Sequence, residues 1–189
     1  MIEKFDILTQ ETLLELEKTQ RDFWNIARPT AEFLYNTIIN EGFVSGIEVG
    51  TSNGYSGIWL GKAFKKNGGH MRTIEFYEKR YSVARENFEK SGVSDVITIC
   101  PGKALAILEY LPEDLMFDFA FVDANKSESV DYFRFIDPHL KVGGIYTCDN
   151  VLSHKEKVQT YIDAISSRKD YIHTILDLPA GLSYARKIG

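Results

Sequence analysis

The residues best placed to do chemistry sit at the ends of two apolar runs. Phe117-Asp118-Phe119-Ala120-Phe121-Val122-Asp123 ends on a carboxylate, with Lys126 just beyond, and Gly143-Gly144-Ile145-Tyr146-Thr147-Cys148-Asp149-Asn150 ends on a carboxylate and an amide. Asp123, Asp149 and Asn150 together offer three hard oxygen ligands, a set that suits Mg²⁺, or Mn²⁺ or Ca²⁺, with octahedral positions left for water and substrate. The same residues also suit two ordinary acidic strand ends followed by a turn Asn. A second constellation lies earlier, in Ile47-Glu48-Val49-Gly50-Thr51-Ser52-Asn53-Gly54-Tyr55-Ser56-Gly57. It reads as a strand, a tight glycine turn and a helix start, where backbone N–H groups can approach a nucleotide-like cofactor. Ser52 stands where the dinucleotide fingerprint needs its second glycine, which turns the reading away from NAD. Glu75, at the end of the next apolar run, can accept hydrogen bonds from ribose hydroxyls, and Phe76 can cover an adenine face.

For these residues to meet, their strands must lie side by side with carboxyl ends on one face. Apolar runs alternating with amphipathic stretches predict that arrangement: an α/β, doubly wound, Rossmann-like and mostly parallel sheet with helices on both faces. Five parallel strands are expected at Gly46 to Gly50, Met71 to Glu75, Asp95 to Cys100, Phe117 to Asp123 and Ile145 to Asp149. Tyr171 to Asp177 and Leu182 to Lys187, joined by Leu-Pro-Ala-Gly, predict a hairpin that makes the sheet seven-stranded with an antiparallel C-terminal edge strand. Helices are expected near Glu11 to Asp22 and Thr30 to Asn40, joined by Arg28-Pro29-Thr30, and over Lys79 to Lys90 and Val130 to Ile136, the last capped by Ser127.

The 189 residues suit one domain, 1–189, with N-terminal helices over 1–41 covering the acceptor side and a cofactor- and metal-binding core over 42–189. No apolar run approaches the roughly 20 residues of a membrane span, and the N-terminus lacks a secretory signal, so a cytoplasmic protein without membrane contact is expected. The net charge of -5 argues against non-specific nucleic-acid binding, although a tRNA held at a local basic mouth stays open. Cys100 and Cys148 each fall in an apolar run, where buried thiols are expected and a disulfide or zinc site is not. His70, His139, His154 and His173 are scattered without ligand spacing. Phe23 and Trp24 on the N-terminal helices predict a homodimer, since a small core need not cover them.

Three ordered pieces, Glu-Val-Gly-Thr-Ser-Asn-Gly-Tyr-Ser, Phe-Val-Asp-Ala-Asn-Lys and Gly-Gly-Ile-Tyr-Thr-Cys-Asp-Asn-Val-Leu, resemble the metal-dependent O-methyltransferases that use S-adenosylmethionine. That family includes catechol and caffeoyl-CoA O-methyltransferases and small bacterial relatives, and the likeness runs from about Arg28 onward. The resemblance implies methyl transfer to a hydroxyl of a small, vicinal-diol or catechol-like acceptor. It implies Asp123, Asp149 and Asn150 as metal ligands and Lys126 as the catalytic base. Cofactor contacts are implied at Glu48, Gly50, Ser52, Gly54, Tyr55, Ser56, Glu75 and Phe76, at Gly102, Lys103 and Ala104 beside the adenine, and at Asp123. Ala124 and Asn125 depart from the pattern, because catechol O-methyltransferase has a His and a Trp there, packing on adenine. A tRNA hydroxyuridine O-methyltransferase is the alternative within the fold, and a nicotinamide oxidoreductase the alternative outside the class, disfavoured by Ser52 and by the lack of a Tyr-x-x-x-Lys pair.

Overall fold

The computed structural model describes residues 2–189. Among them, seven strands form one sheet in the order β3-β2-β1-β4-β5-β7-β6. The first five are β1 (Ser45–Val49), β2 (His70–Glu75), β3 (Ile97–Pro101), β4 (Phe117–Val122) and β5 (Leu140–Cys148), each parallel to its neighbour among the five. The hairpin follows as β6 (Tyr171–Leu176) and β7 (Leu182–Lys187). β7 inserts antiparallel between β5 and β6, so β6 takes the outer edge.

Helices cover both faces, as the apolar strands require. On one side lie α1 (Ile7–Lys18), α3 (Arg28–Glu41), α4 (Tyr55–Lys66) and α5 (Glu78–Lys90), whose Leu13, Leu34, Ile38, Trp59, Phe64 and Phe88 share a core with Phe119, Phe121 and Ile145. On the other, α6 (Ala104–Glu109), α7 (Ser129–Ile136) and α8 (Lys155–Ser166) bring Leu108, Phe133, Ile136, Val158, Tyr161 and Ile165 against Val49, Ala120, Val122 and Tyr146. The doubly covered central strands are therefore apolar on both faces, which is why they read as continuous runs.

Several boundaries differ from expectation for local reasons. α1 starts at Ile7 rather than Glu11, because Asp6 caps it by accepting from the N–H and hydroxyl of Thr9 at 3.0 and 2.7 Å. It stops at Lys18, and a short helix α2 (Gln20–Phe23) ends at Trp24, which has φ 56°. Arg28-Pro29-Thr30 is not a linker but the first turn of α3, where proline's missing N–H costs nothing. Ser127 does not cap α7. Asn125 does the local work, its side chain accepting from the Ser127 N–H at 3.2 Å to set a 3₁₀ turn over Lys126–Glu128 before α7 begins. β5 starts at Leu140, earlier than expected, with an irregular pairing to β4 near its start. There Gly144 is obligatory, since a Cβ would meet the Asp118 carbonyl at 2.9 Å. Cys148 is buried; Cys100 is only half-buried, because β3 is an edge strand.

Candidate active site

The sheet ladder carries past the strand ends and fixes the site. The Asp123 N–H donates to the Val49 carbonyl at 2.9 Å and the Asp149 N–H to the Val122 carbonyl at 3.0 Å, so the loops after β1, β4 and β5 stand in a row. Gly50 is packed into that row. It has φ +106°, and a Cβ there would lie 2.2 Å from the Asp123 carbonyl oxygen, so any side chain would push the β1 loop off β4.

At the β1 and β2 ends the carboxylates are well furnished with donors. Glu48 is buried and accepts from Ser56 Oγ at 2.6 Å and Thr73 Oγ1 at 2.5 Å, while Thr73 shares a 2.6 Å bond with Thr51. Burial pushes the Glu48 carboxyl up to about 7 against the pull of those hydroxyls. Glu75 accepts from the N–H groups of Ser52, Phe76 and Tyr77, each at 2.9 Å. A carboxylate has about four acceptor positions, so three backbone donors leave it lone-pair room for an incoming hydroxyl. The Gly102 N–H donates to the Glu75 carbonyl at 2.9 Å, and Lys103 Nζ lies 5.9 Å from the centre of the Phe76 ring. Gly102, Lys103 and Ala104, the first residue of α6, thus lie beside Glu75 and Phe76.

Ser52 and Tyr55 both turn their hydroxyls to the N-terminal segment. Ser52 Oγ donates to the Phe23 carbonyl at 2.9 Å. The Tyr55 ring is buried beneath the loop and its hydroxyl donates to Glu17 at 2.7 Å, so its side chain serves the N-terminal helices. Gly54, at φ +87°, closes the turn against Ala84 and Phe88.

At the β4 and β5 ends donors are scarce. Lys126 Nζ donates to Asp123 Oδ1 at 2.5 Å, with both side chains mostly buried. Asp149 is 2% exposed, and its Oδ1 has no hydrogen-bond partner. Burial, and then the neighbouring Asp123, raise its carboxyl above the usual range. Asn150 follows at φ 65°, a left-handed conformation Asn tolerates. The hairpin braces this loop: the N–H groups of Val151 and Leu152 donate to the carbonyls of Gly181 and Ala180 at 3.0 and 3.1 Å. Among the described residues no three His, Cys, Asp or Glu side chains gather as a metal cluster, so a cation here needs the Asn150 amide as its third protein ligand. The donor-less buried oxygen of Asp149 fits such a cation, which would supply what the protein does not.

The four histidines are engaged elsewhere. His70 bonds Thr98, His139 the Leu115 carbonyl, His154 Ser153 and His173 both Ser166 and Ser183. Ala124 is partly buried against the core and Asn125 serves its turn, while Phe76, 51% exposed, offers an aromatic face beside Glu75. Sequence reasoning missed Thr51 and Thr73, the partners around Glu48. The β1–β2 register places Thr73 directly opposite Glu48, a relation that needs the pairing and not the pattern alone.

The profile of the O-methyltransferase family matches residues 5–177. The catechol O-methyltransferase of Niastella koreensis is 36% identical over 108 residues, covering 56% of this chain and 48% of that protein. The caffeoyl-CoA O-methyltransferase of Citrus natsudaidai is 31% identical over 150 residues, covering 75% and 64%. The chain thus spans about half to two thirds of the length of these curated relatives. An O-methyltransferase from Bacillus cereus, solved in complex with SAH, superposes with a TM-score of 0.84 at 24% identity, covering 99% of this chain and all of the other, a likeness of fold.

Proposed function

The chain belongs to the O-methyltransferase family, and on that footing we propose that it moves a methyl group from S-adenosylmethionine to a hydroxyl oxygen of a small catechol-like acceptor, aided by a divalent cation. The observation that carries this reading is the buried Asp149 carboxylate oxygen without a donor, beside the Asp123–Lys126 pair and next to the Gly50 loop.

Methyl transfer from a sulfonium is an in-line displacement, so alignment of the reacting atoms is the main requirement, worth on the order of 7–11 kcal/mol. The loops after β1, β4 and β5, held in one row, serve it. Glu75 accepts a ribose hydroxyl, Phe76 covers the adenine, and Gly102, Lys103 and Ala104 bound that end. Glu48, Gly50, Ser56 and the start of α4 shape the other end, where an amino acid moiety finds backbone N–H groups and a carboxyl side chain. Asp123, Asp149 and Asn150 would hold Mg²⁺, or Mn²⁺ or Ca²⁺, which when bound polarises two neighbouring acceptor oxygens. Lys126, paired with Asp123 in the structure, takes the acceptor's hydroxyl proton in this reading as a neutral amine, after its ammonium has released a proton to solvent. The helices over 1–41 complete the acceptor side of a single domain.

A screen with methyl-labelled cofactor tests the proposal, run on catechols, flavonoids and unmodified tRNA, each with and without Mg²⁺. Label on a catechol that disappears on chelation is the expected result. Label on tRNA alone would move the acceptor to nucleic acid, and full activity after exhaustive chelation would sink the metal. No described helix is long and apolar enough to cross a membrane, which fits the proposed cytoplasmic setting. Trp24, 73% exposed, supports a homodimer as a further part of the reading, one that sedimentation showing only monomer at micromolar concentration would end.

A further inference from the structure

The loop from Ser52 to Tyr55 is held at both ends by the N-terminal segment. At one end Ser52 Oγ donates to the carbonyl of Phe23, the last residue of α2, at 2.9 Å. At the other, the Tyr55 hydroxyl donates to Glu17 Oε1 on α1 at 2.7 Å. Arg28, at the start of α3, grips the same carboxylate with Nε on Oε1 at 2.8 Å and Nη2 on Oε2. Three helices therefore meet on one carboxylate. A guanidinium fork on a carboxylate admits one planar geometry, and this pair is partly buried, with side-chain exposures of 35% and 25%.

The slack between this contact and the loop is small. Tyr55 is 1% exposed, so its ring cannot swing without opening the core. Its own N–H bonds Asn53 Oδ1 at 3.2 Å, and Gly54 before it has a virtual Cβ only 2.8 Å from Phe88. Where the Tyr55 ring goes, the turn must follow.

We propose that Glu17 and Arg28, acting through the Tyr55 hydroxyl, are positioning residues for the cofactor loop, so that the N-terminal helices belong to the cofactor site and not only to the acceptor wall. The proposal rests on the cofactor reading above. It assigns a role to Tyr55 that direct contact would not: the hydroxyl never reaches the ligand, yet its loss loosens the loop.

Tyr55→Phe, which keeps the ring, is the test, made in the full chain with S-adenosylhomocysteine titrated by calorimetry and with steady-state kinetics on an acceptor from the screen. The Kd and the KM for S-adenosylmethionine should rise about 3- to 10-fold, the worth of one hydrogen bond, while kcat changes by less than about twofold. Glu17→Gln leaves the hydroxyl a neutral acceptor and should fall between wild type and Tyr55→Phe, and in the Tyr55→Phe background it should add nothing, because the two act on one contact. Arg28→Lys keeps the charge but loses the fork and should fall between wild type and Glu17→Gln. A lowered melting temperature with unchanged Kd well below the transition would reduce the contact to stability and overturn the proposal. Additive losses in the double variant would overturn it too. If the wild type itself binds no S-adenosylhomocysteine, the cofactor reading falls and takes this with it; wild-type binding with unchanged Kd in Tyr55→Phe removes this inference alone. Should Glu17→Gln fail to fold, Tyr55→Phe still decides, since it deletes a single oxygen.

Discussion

The two halves of the site treat buried carboxylates in opposite ways. Under β1 and β2, Glu48 and Glu75 are surrounded by neutral donors, hydroxyls for the first and backbone N–H groups for the second. Under β4 and β5, two carboxylates face one ammonium, and an oxygen of Asp149 has nothing at all. Neutral donors satisfy lone pairs and freeze geometry without cancelling charge, which builds a cradle for an organic molecule that brings its own donors. The unfinished half carries uncompensated negative charge in a buried place, and that cost is relieved by a cation.

Breaking the unfinished half should have the largest effect. Asp149→Ala is expected to abolish measurable turnover while the calorimetric affinity for S-adenosylhomocysteine stays within about threefold of wild type, since β1 and β4 separate the end of β5 from Glu75 on β2. Lys126→Ala ranks second, with rates down by roughly 10²–10⁴ and partial recovery as pH rises and the acceptor ionises unaided. A pH–rate profile parallel to that of wild type would remove Lys126 as the base.

Breaking the furnished half should show in binding. Glu75→Ala is expected to weaken S-adenosylhomocysteine by about 1.5–3 kcal/mol, the value of bonds to a charged acceptor. The variant also strands the N–H groups of Ser52, Phe76 and Tyr77, so Glu75→Gln separates charge from loop support. Equal affinity in both variants and wild type would take Glu75 out of the site.

The smallest effect sharpens the comparison in the free protein. The folded Glu48 carboxyl titrates near 7, against about 4.3 in an unfolded chain. A raised carboxyl contributes stability that is complete below the unfolded value and lost as pH rises through the folded one. Glu48→Gln removes that loss, so its stability relative to wild type should improve between pH 5 and 8 by about 1–3 kcal/mol. The Thr73 hydroxyl can turn to accept from the new amide while donating to Thr51. Denaturant melts at the two pH values check this, and a difference that does not vary with pH would mean Glu48 is not the buried acid described.

Much of the molecule was legible before its shape was known, for one physical reason. Strands covered on both faces must be apolar throughout, and the acids that end them cannot be mistaken for core, so Glu75, Asp123 and Asp149 announce themselves. The rest depends on relations that local patterns do not encode. Nothing near Tyr55 says that its hydroxyl will find Glu17, and nothing near Ser52 says that the last carbonyl of α2 will be waiting. Both need the docking angle of helices far away in the chain. Asp6 and Pro29 carried local signals for helix starts, but the apolar periodicity of α1 and α3 drew the boundaries inward. The brace from Ala180 and Gly181 to the Asn150 loop appears only once β7 is known to lie beside β5.

That placement of β7 also governs how the chain can come together in time. β5 has its buried residues Ile145 to Cys148 next to a strand formed by Leu182 to Lys187, the last strand in the sequence. As the chain leaves the ribosome, β1 through β5 are complete while the outer backbone of β5 is still bare, and β6 emerges with no strand to join. Until Leu182 to Lys187 arrive, the nascent protein offers an apolar ladder edge to any neighbouring chain, the kind of edge that seeds misassembly. A protease cut in the Leu178 to Gly181 turn would recreate the same exposed edge whenever the released strand dissociates.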